Sequence, residues 1–220
     1  MSNESRRSPR LSDLYQQYLD DHDSAGFVRR TSQSYTQGTL ERLSEHESRE
    51  IRRAAVLALG FLGDYGANPV MGRALHDEDR TVRTLAEDGI RNVWHRVGTE
   101  EHRRQLGVVI RLNAAKHFEE AERRATELTA KAPWFAEAWN QRGVAHFALL
   151  RFAEAIRDYH QALELNPYHF RAAAGMGQAY LELDNHVSAL ESFRRALRLN
   201  PNLEDVRAQV ARLTRMIEGK

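Results

Sequence analysis

Residues 121–201 read AERRATELTAKAPWFAEAWNQRGVAHFALLRFAEAIRDYHQALELNPYHFRAAAGMGQAYLELDNHVSALESFRRALRLNP, and one pattern returns through them every 34 residues. Pro133, Pro167 and Pro201 keep that spacing, as do Ala121, Ala155 and Ala189, the set Ala125, Tyr159 and Phe193, and the set Leu128, Ala162 and Ala196. A period of this length marks a helix–turn–helix unit that stacks on copies of itself. One such pair cannot bury its apolar face alone, whereas stacked pairs can. Small residues, Gly143 and Gly177 in the first helix of a pair and Ala155 and Ala189 in the second, let antiparallel helices approach. Trp139, Tyr159, Tyr180 and Phe193 then fill the space beside them. Asn166 and Asn200, each ahead of a proline, are expected to end the second helices, because Pro cannot continue a helix and Asn tolerates a left-handed turn.

The middle copy supplies Trp139, Gly143, His146, Ala155, Tyr159, Ala162 and Pro167; the last supplies Ala173, Met176, Gly177, Tyr180, Ala189, Phe193, Ala196 and Pro201. At these offsets the chain resembles tetratricopeptide repeats. A degenerate copy precedes them: Leu106, Val109, Ile110 and Leu112 stand where a first helix belongs, but Gln105 and Val109 replace the pattern's Trp and Gly. A second periodicity lies upstream, where Ile51-Arg52 and Val82-Arg83 are 31 residues apart and Ala55 and Ala86 keep that interval. The run from Ser48 through Ile51, Arg52, Ala54 and Ala55 to Leu59, Gly60, Leu62, Gly63 and Asp64 resembles a HEAT-like repeat of the phycobilisome-lyase type. A partial second copy begins at Asp77, Asp79, Val82, Arg83 and Ala86, with Ile90 to Trp94 in place of the Leu-Gly segment. In HEAT-like arrays the repeat arginine pairs with an acid near the preceding turn, which implies Glu47 for Arg52 and Asp77 or Asp79 for Arg83.

The expected fold is therefore all-α, a right-handed α-solenoid of stacked hairpins forming one continuous curve with a bend or loose joint near Gly98. Its parts are a disordered stretch over 1–10, a HEAT-like segment over 11–97, and a tetratricopeptide segment over 98–220 closed by a capping helix from Leu203 to Ile217. Helical spacing marks Leu11, Leu14, Tyr15, Tyr18 and Leu19, then a helix from Ser24 to Tyr35 carrying Phe27 and Val28, and one from Thr36 to Ser44 using Leu40 and Leu43. A short helix is expected from Pro69 to His76, and another from Thr99, as cap, to Ala115.

Composition narrows the function classes. The 220 residues are 41% hydrophobic, enough for a core, and 29% charged with only five prolines, which suits a helical protein. There is no cysteine, so no disulfide framework or thiolate metal site is available, as fits a reducing cytoplasm. The start, MSNESRRSPR, lacks the apolar run of a signal peptide, and no membrane span is expected. A formal charge of +1 does not argue for nucleic acid. Lysine occurs only at 116, 131 and 220, the basic usage expected of a GC-rich bacterial gene.

No Gly-rich phosphate loop, HExxH or GxSxG is present, and the reading is of a chain without catalytic residues, cofactor or metal. His146, in a slot where the repeat expects Tyr, reads as a packing residue, and His95 with His102 does not read as a metal pair. What is left is surface. The resemblance to tetratricopeptide repeats implies a concave groove lined by first helices. Carried over residue by residue, it places there Arg103, Leu106 and Ile110, then Glu137, Asn140, Gln141, Val144 and Phe147, then Arg171, Ala174, Gly175, Gln178, Leu181 and Glu182. Asn140 and Gln141 could bond a peptide backbone, and Phe147 and Leu181 could hold an apolar side chain. Neither Asn140 nor Ala174 is a lysine, which argues against the carboxylate clamp of heat-shock adaptors. The function expected is a cytoplasmic, non-enzymatic adaptor for a protein or peptide partner of unspecified identity, its oligomeric state open. The alternatives are a HEAT-like lyase-related enzyme or subunit acting on a tetrapyrrole, and nucleic-acid binding along Arg49, Arg52, Arg53, Arg80 and Arg83.

Overall fold

The computed structural model describes residues 10–219; the expectation of a disordered segment over 1–10 falls, except for Arg10, outside them. Among the described residues the secondary structure is thirteen α-helices and one short 3-10 turn. Two compact units divide between Val93 and Trp94.

The first unit holds α1 (Leu11–Asp21), α2 (Ser24–Ser34), α3 (Gln37–Leu43), α4 (Arg49–Leu62), a 3-10 turn at Tyr65–Ala67, α5 (Asn68–Ala74) and most of α6 (Arg80–His95). Its helix starts follow from local chemistry. The Asp23 side chain accepts from the Gly26 N–H at 2.8 Å and opens α2, and Thr36 does the same for α3 through Thr39 at 3.3 Å. Leu14, Phe27, Leu40, Leu59, Met71, Leu75 and Ile90 are buried and make the core. Gly60 of α4 lies against Gly89 of α6 so closely that a Cβ on Gly60 would sit 2.9 Å from the Gly89 Cα. The Leu-Gly segment is thus a backbone-to-backbone crossing, where no side chain can give way.

The second unit opens with Trp94 and contains α7 (Glu100–Ala114), α8 (Phe118–Lys131), α9 (Ala136–Ala148), α10 (Phe152–Leu165), α11 (Phe170–Glu182), α12 (His186–Leu199) and α13 (Glu204–Glu218). Consecutive helices pack as hairpins, and α7 also packs on α9, and α9 on α11. Pro133, Pro167 and Pro201 all lie between helices. Gly143 and Gly177 each receive a ring from the second helix of their own hairpin. A Cβ on Gly143 would lie 2.8 Å from the Tyr159 ring, and one on Gly177 would lie 2.7 Å from the Phe193 ring. A Cβ on Gly175 of the next hairpin would likewise lie 2.7 Å from the Tyr159 ring, so one ring is received by two helices.

The second helices end differently from the sequence expectation. Asn166 and Asn200 are extended, with φ of −135° and −140°, because a following proline disfavours helical and left-handed geometry. Their side chains instead accept from the N–H two residues on, Tyr168 at 3.1 Å and Asn202 at 3.0 Å. The left-handed residues sit in the turn inside each hairpin, at Lys116, Leu150 and Asp184, themselves 34 residues apart.

Candidate functional site

In the first unit the repeat arginines are internal fasteners. Arg52, almost fully buried, donates to the backbone carbonyls of His46 and Glu47 at 3.0 and 2.9 Å and forks onto the Asp77 carboxylate at 2.8 and 3.0 Å. Arg83 repeats the first half of this, donating to the carbonyls of Asp77 and Glu78 at 2.8 and 3.0 Å. The expectation that Arg52 pairs with the Glu47 side chain is corrected: that turn offers backbone carbonyls, and the carboxylates of Arg52, Asp77 and Glu78, come from the turn of the following repeat. A guanidinium has donors enough for both. Arg53 forks onto Asp79 at 2.9 and 2.6 Å, holding that carboxyl down to about 2 with help from the Val82 N–H. Arg52, Arg53 and Arg83 are thus engaged within the fold, which disfavours a phosphate-facing arginine row.

In the second unit the first helices α7, α9 and α11 carry the residues assigned to the groove. Three of them are corrected. Leu106, Glu137 and Asn140 are buried, at 1%, 3% and 3% exposure, and offer no surface. The cause is local. The Trp94 ring stacks on His169 with centroids 4.3 Å apart and packs on Phe170, while the His95 ring lies 3.7 Å from Glu137. Glu137 accepts from His169 at 2.8 Å, Gln141 at 2.8 Å and Asn140 at 3.1 Å. Burial pushes the Glu137 carboxyl up, but the hydrogen bonds and charge of His169 and His95 outweigh that and hold it well below the usual carboxylate range. His169 Nδ1 accepts from the Ala172 N–H at 3.1 Å, capping α11. A backbone N–H can only donate, so Nε2 carries the proton shared with Glu137.

A second buried group lies between α9 and α10. Arg142 forks onto Asp158 at 2.9 and 2.7 Å, and His146 bridges Asp158 at 3.0 Å and Glu122 at 3.4 Å. Burial opposes ionisation of Asp158, yet Arg142 and then His146 keep its carboxyl low. Burial, followed by the Asp158 charge, raises the neighbouring Tyr159 phenol. His102 completes the capping box of α7 with Thr99, and its ring meets Trp134 edge-on at 5.4 Å. Among the described residues no three His, Cys, Asp or Glu side chains are placed to hold a metal ion.

The other assigned residues lie at the surface. Ile110, Gln141, Val144, Phe147, Ala174, Gly175 and Leu181 are half-buried, and Arg171, Gln178 and Glu182 are exposed. Arg103 is exposed too, but its guanidinium donates back to the Gly98 carbonyl at 2.7 Å. In the 34-residue register Ile110, Val144 and Gln178 are equivalent, as are Asn113, Phe147 and Leu181, so direct packing of α7 on α9 and α9 on α11 lines them up as two rows. Asn113 was missed. Its side-chain amide donates to the backbone carbonyl of Gln141 at 2.9 Å and to its side-chain oxygen at 3.0 Å, joining α7 to α9. Its place in the row of Phe147 and Leu181 was the available signal.

Stacked hairpins of two lengths, with polar fasteners inside and a mixed apolar and amide face, define a helical-repeat protein. Residues 136–169 and 170–203 match models of the tetratricopeptide repeat, and residues 36–91 match a model of HEAT repeats. The chain carries both repeat types. No curated protein matches it in sequence. Among solved structures it is similar to the first tetratricopeptide domain of Spaghetti (RPAP3) bound to the HSP90 peptide SRMEEVD, at 21% identity and a TM-score of 0.53, over 56% of this chain and 97% of that one. The first such domain of human RPAP3 is similar at 22% identity and a TM-score of 0.50, over 52% and 91% of the two chains. The TPR2AB domain of yeast Sti1 in its complex with pHSP90 is similar at 15% and 0.50, over 94% and 98%. Among the described residues no helix is long and apolar enough to cross a membrane.

Proposed function

We propose that the chain is a non-enzymatic interaction scaffold that receives an extended peptide or a helix of a partner protein on the face made by α7, α9 and α11. The observation that supports this best is the pair of rows across three successive first helices. Ile110, Val144, Phe147 and Leu181 are left half-buried there beside the amides of Gln141 and Gln178, while the ionised groups beneath are saturated by internal partners. Apolar side chains interleaved with amides suit a ligand whose backbone needs hydrogen bonds and whose side chains need pockets. The structurally similar domains of RPAP3, bound to an HSP90 peptide, and of yeast Sti1, in its pHSP90 complex, support peptide binding by such a face.

The test is selection of a random dodecapeptide display library on the full chain. The expected result is a consensus with at least one apolar anchor, whose binding Val144→Glu with Phe147→Glu abolishes while the far-ultraviolet circular dichroism is retained. Selected peptides that bind the double variant as well as the parent would refute this face.

A further inference from the structure

A second surface lies outside that face, in an open cavity of about 520 Å³ bordered by α10, α11 and α12. Arg194, Arg195 and Arg198 of α12 line it with Glu191, and His160 of α10 and Tyr180 of α11 form part of the wall. Several arginines of this protein close on a carboxylate three residues before them, as Arg91 does on Asp88, Arg123 on Glu120 and Arg157 on Glu154. Arg194 stands at that offset from Glu191 and does not; its contact is the Thr214 hydroxyl at 3.4 Å. Among the described residues the side chains of Glu191, Arg195 and Arg198 take part in no ion pair or hydrogen bond. Three guanidinium groups with fork geometry open to one cavity make a receptor for carboxylates.

Spacing sets the register. Arg198, the Arg194 and Arg195 pair, and Glu191 succeed one another by three or four residues, a rise of about 4.5–6 Å per step along the helix. Same-face side chains of an extended strand recur every ~6.6–6.8 Å. We propose that this cavity docks an extended acidic segment of a partner polypeptide, with two carboxylates in alternate positions on the arginines and a basic residue two positions further on opposite Glu191. The surface is separate from the face of α7, α9 and α11, so either assignment can fail alone.

The probes are labelled peptides Thr-Lys-Thr-Glu-Thr-Glu-Thr and Thr-Glu-Thr-Lys-Thr-Glu-Thr, identical in composition, titrated against the full protein by fluorescence anisotropy at low salt. The first is expected to bind at least fivefold more tightly than the second. Arg195→Glu with Arg198→Glu should weaken it at least tenfold and should accept Thr-Lys-Thr-Lys-Thr-Lys-Thr instead, with its first lysine still opposite Glu191, a gain that misfolding could not produce. Val144→Glu with Phe147→Glu should leave the affinity unchanged. Equal binding of the two isomers, charge reversal without effect, or tighter binding of inorganic pyrophosphate or duplex DNA than of the first peptide would each overturn the proposal.

Discussion

The Tyr159 ring offers a sharp test of how the repeats pack. In Gly143→Ala the new methyl would lie 2.8 and 2.9 Å from ring atoms of Tyr159, against the 3.5–4.0 Å of a comfortable carbon contact. The ring would have to retreat by roughly 0.6–1.2 Å. It has little room to retreat, because Gly175 of α11 also crowds the ring, where a Cβ would lie 2.7 Å from it, and the residue is only 3% exposed. Overpacking of this kind costs about 1–3 kcal/mol, from which about 0.5–1 kcal/mol of helix preference for Ala over Gly is subtracted. Tyr159→Ala alone leaves a large cavity and should cost about 3–5 kcal/mol. In the double variant the clash disappears with the ring, so the two losses should fall short of additivity by about 1–3 kcal/mol. Urea denaturation of the four proteins, followed at the helical circular dichroism signal, measures this. Additivity within about 0.5 kcal/mol, or a Gly143→Ala protein more stable than the parent, would show that the ring is not wedged between the two glycines.

Three other outcomes are expected. Leu150, left-handed at φ 60° and 75% exposed, is strained with little burial in return, so Leu150→Gly should raise stability by about 0.5–1 kcal/mol and the melting temperature with it; a drop would refute the turn geometry. Glu137 has a folded pKa below its unfolded value near 4.3, so its contribution is present above that pH and fades as pH falls through the lower folded value; Glu137→Gln should flatten the acid arm of a stability–pH curve, and an unchanged slope would count against the buried carboxylate. Arg52→Ala removes bonds to two carbonyls and two carboxylates and should cost about 2–4 kcal/mol, with Arg52→Lys recovering little because an ammonium lacks the fork; full recovery by Lys would sink that reasoning.

The hairpins were legible because packing recurs with the repeat. Gly143 with Tyr159 and Gly177 with Phe193 keep one offset, and any chain that must stack equal units shows it. The turn chemistry was harder to read. Lys116, Leu150 and Asp184 share a backbone geometry without sharing a side chain, so no residue type betrayed them, and Asn166 and Asn200 attracted the left-handed assignment that their prolines forbid. The candidate face was read by register alone, and register is blind to what arrives from elsewhere in the chain. Glu137 holds a groove slot, but Trp94 and His95 come from 43 and 42 residues upstream to cover it, and His169 binds it from the next hairpin. Arg52 was read against its own turn for a similar reason, since its carboxylates lie 25 and 26 residues downstream.

His169 has one further consequence. One nitrogen holds the first turn of α11 and the other grips a carboxylate of α9, so the ring works as a bolt through two neighbouring hairpins. Such a bolt opposes piecemeal fraying from the carboxyl end. Amides in the opening turns of α9 and α11 should then exchange with solvent as a single cooperative block, making the array behave there less like beads on a string than like one hinge-free plate.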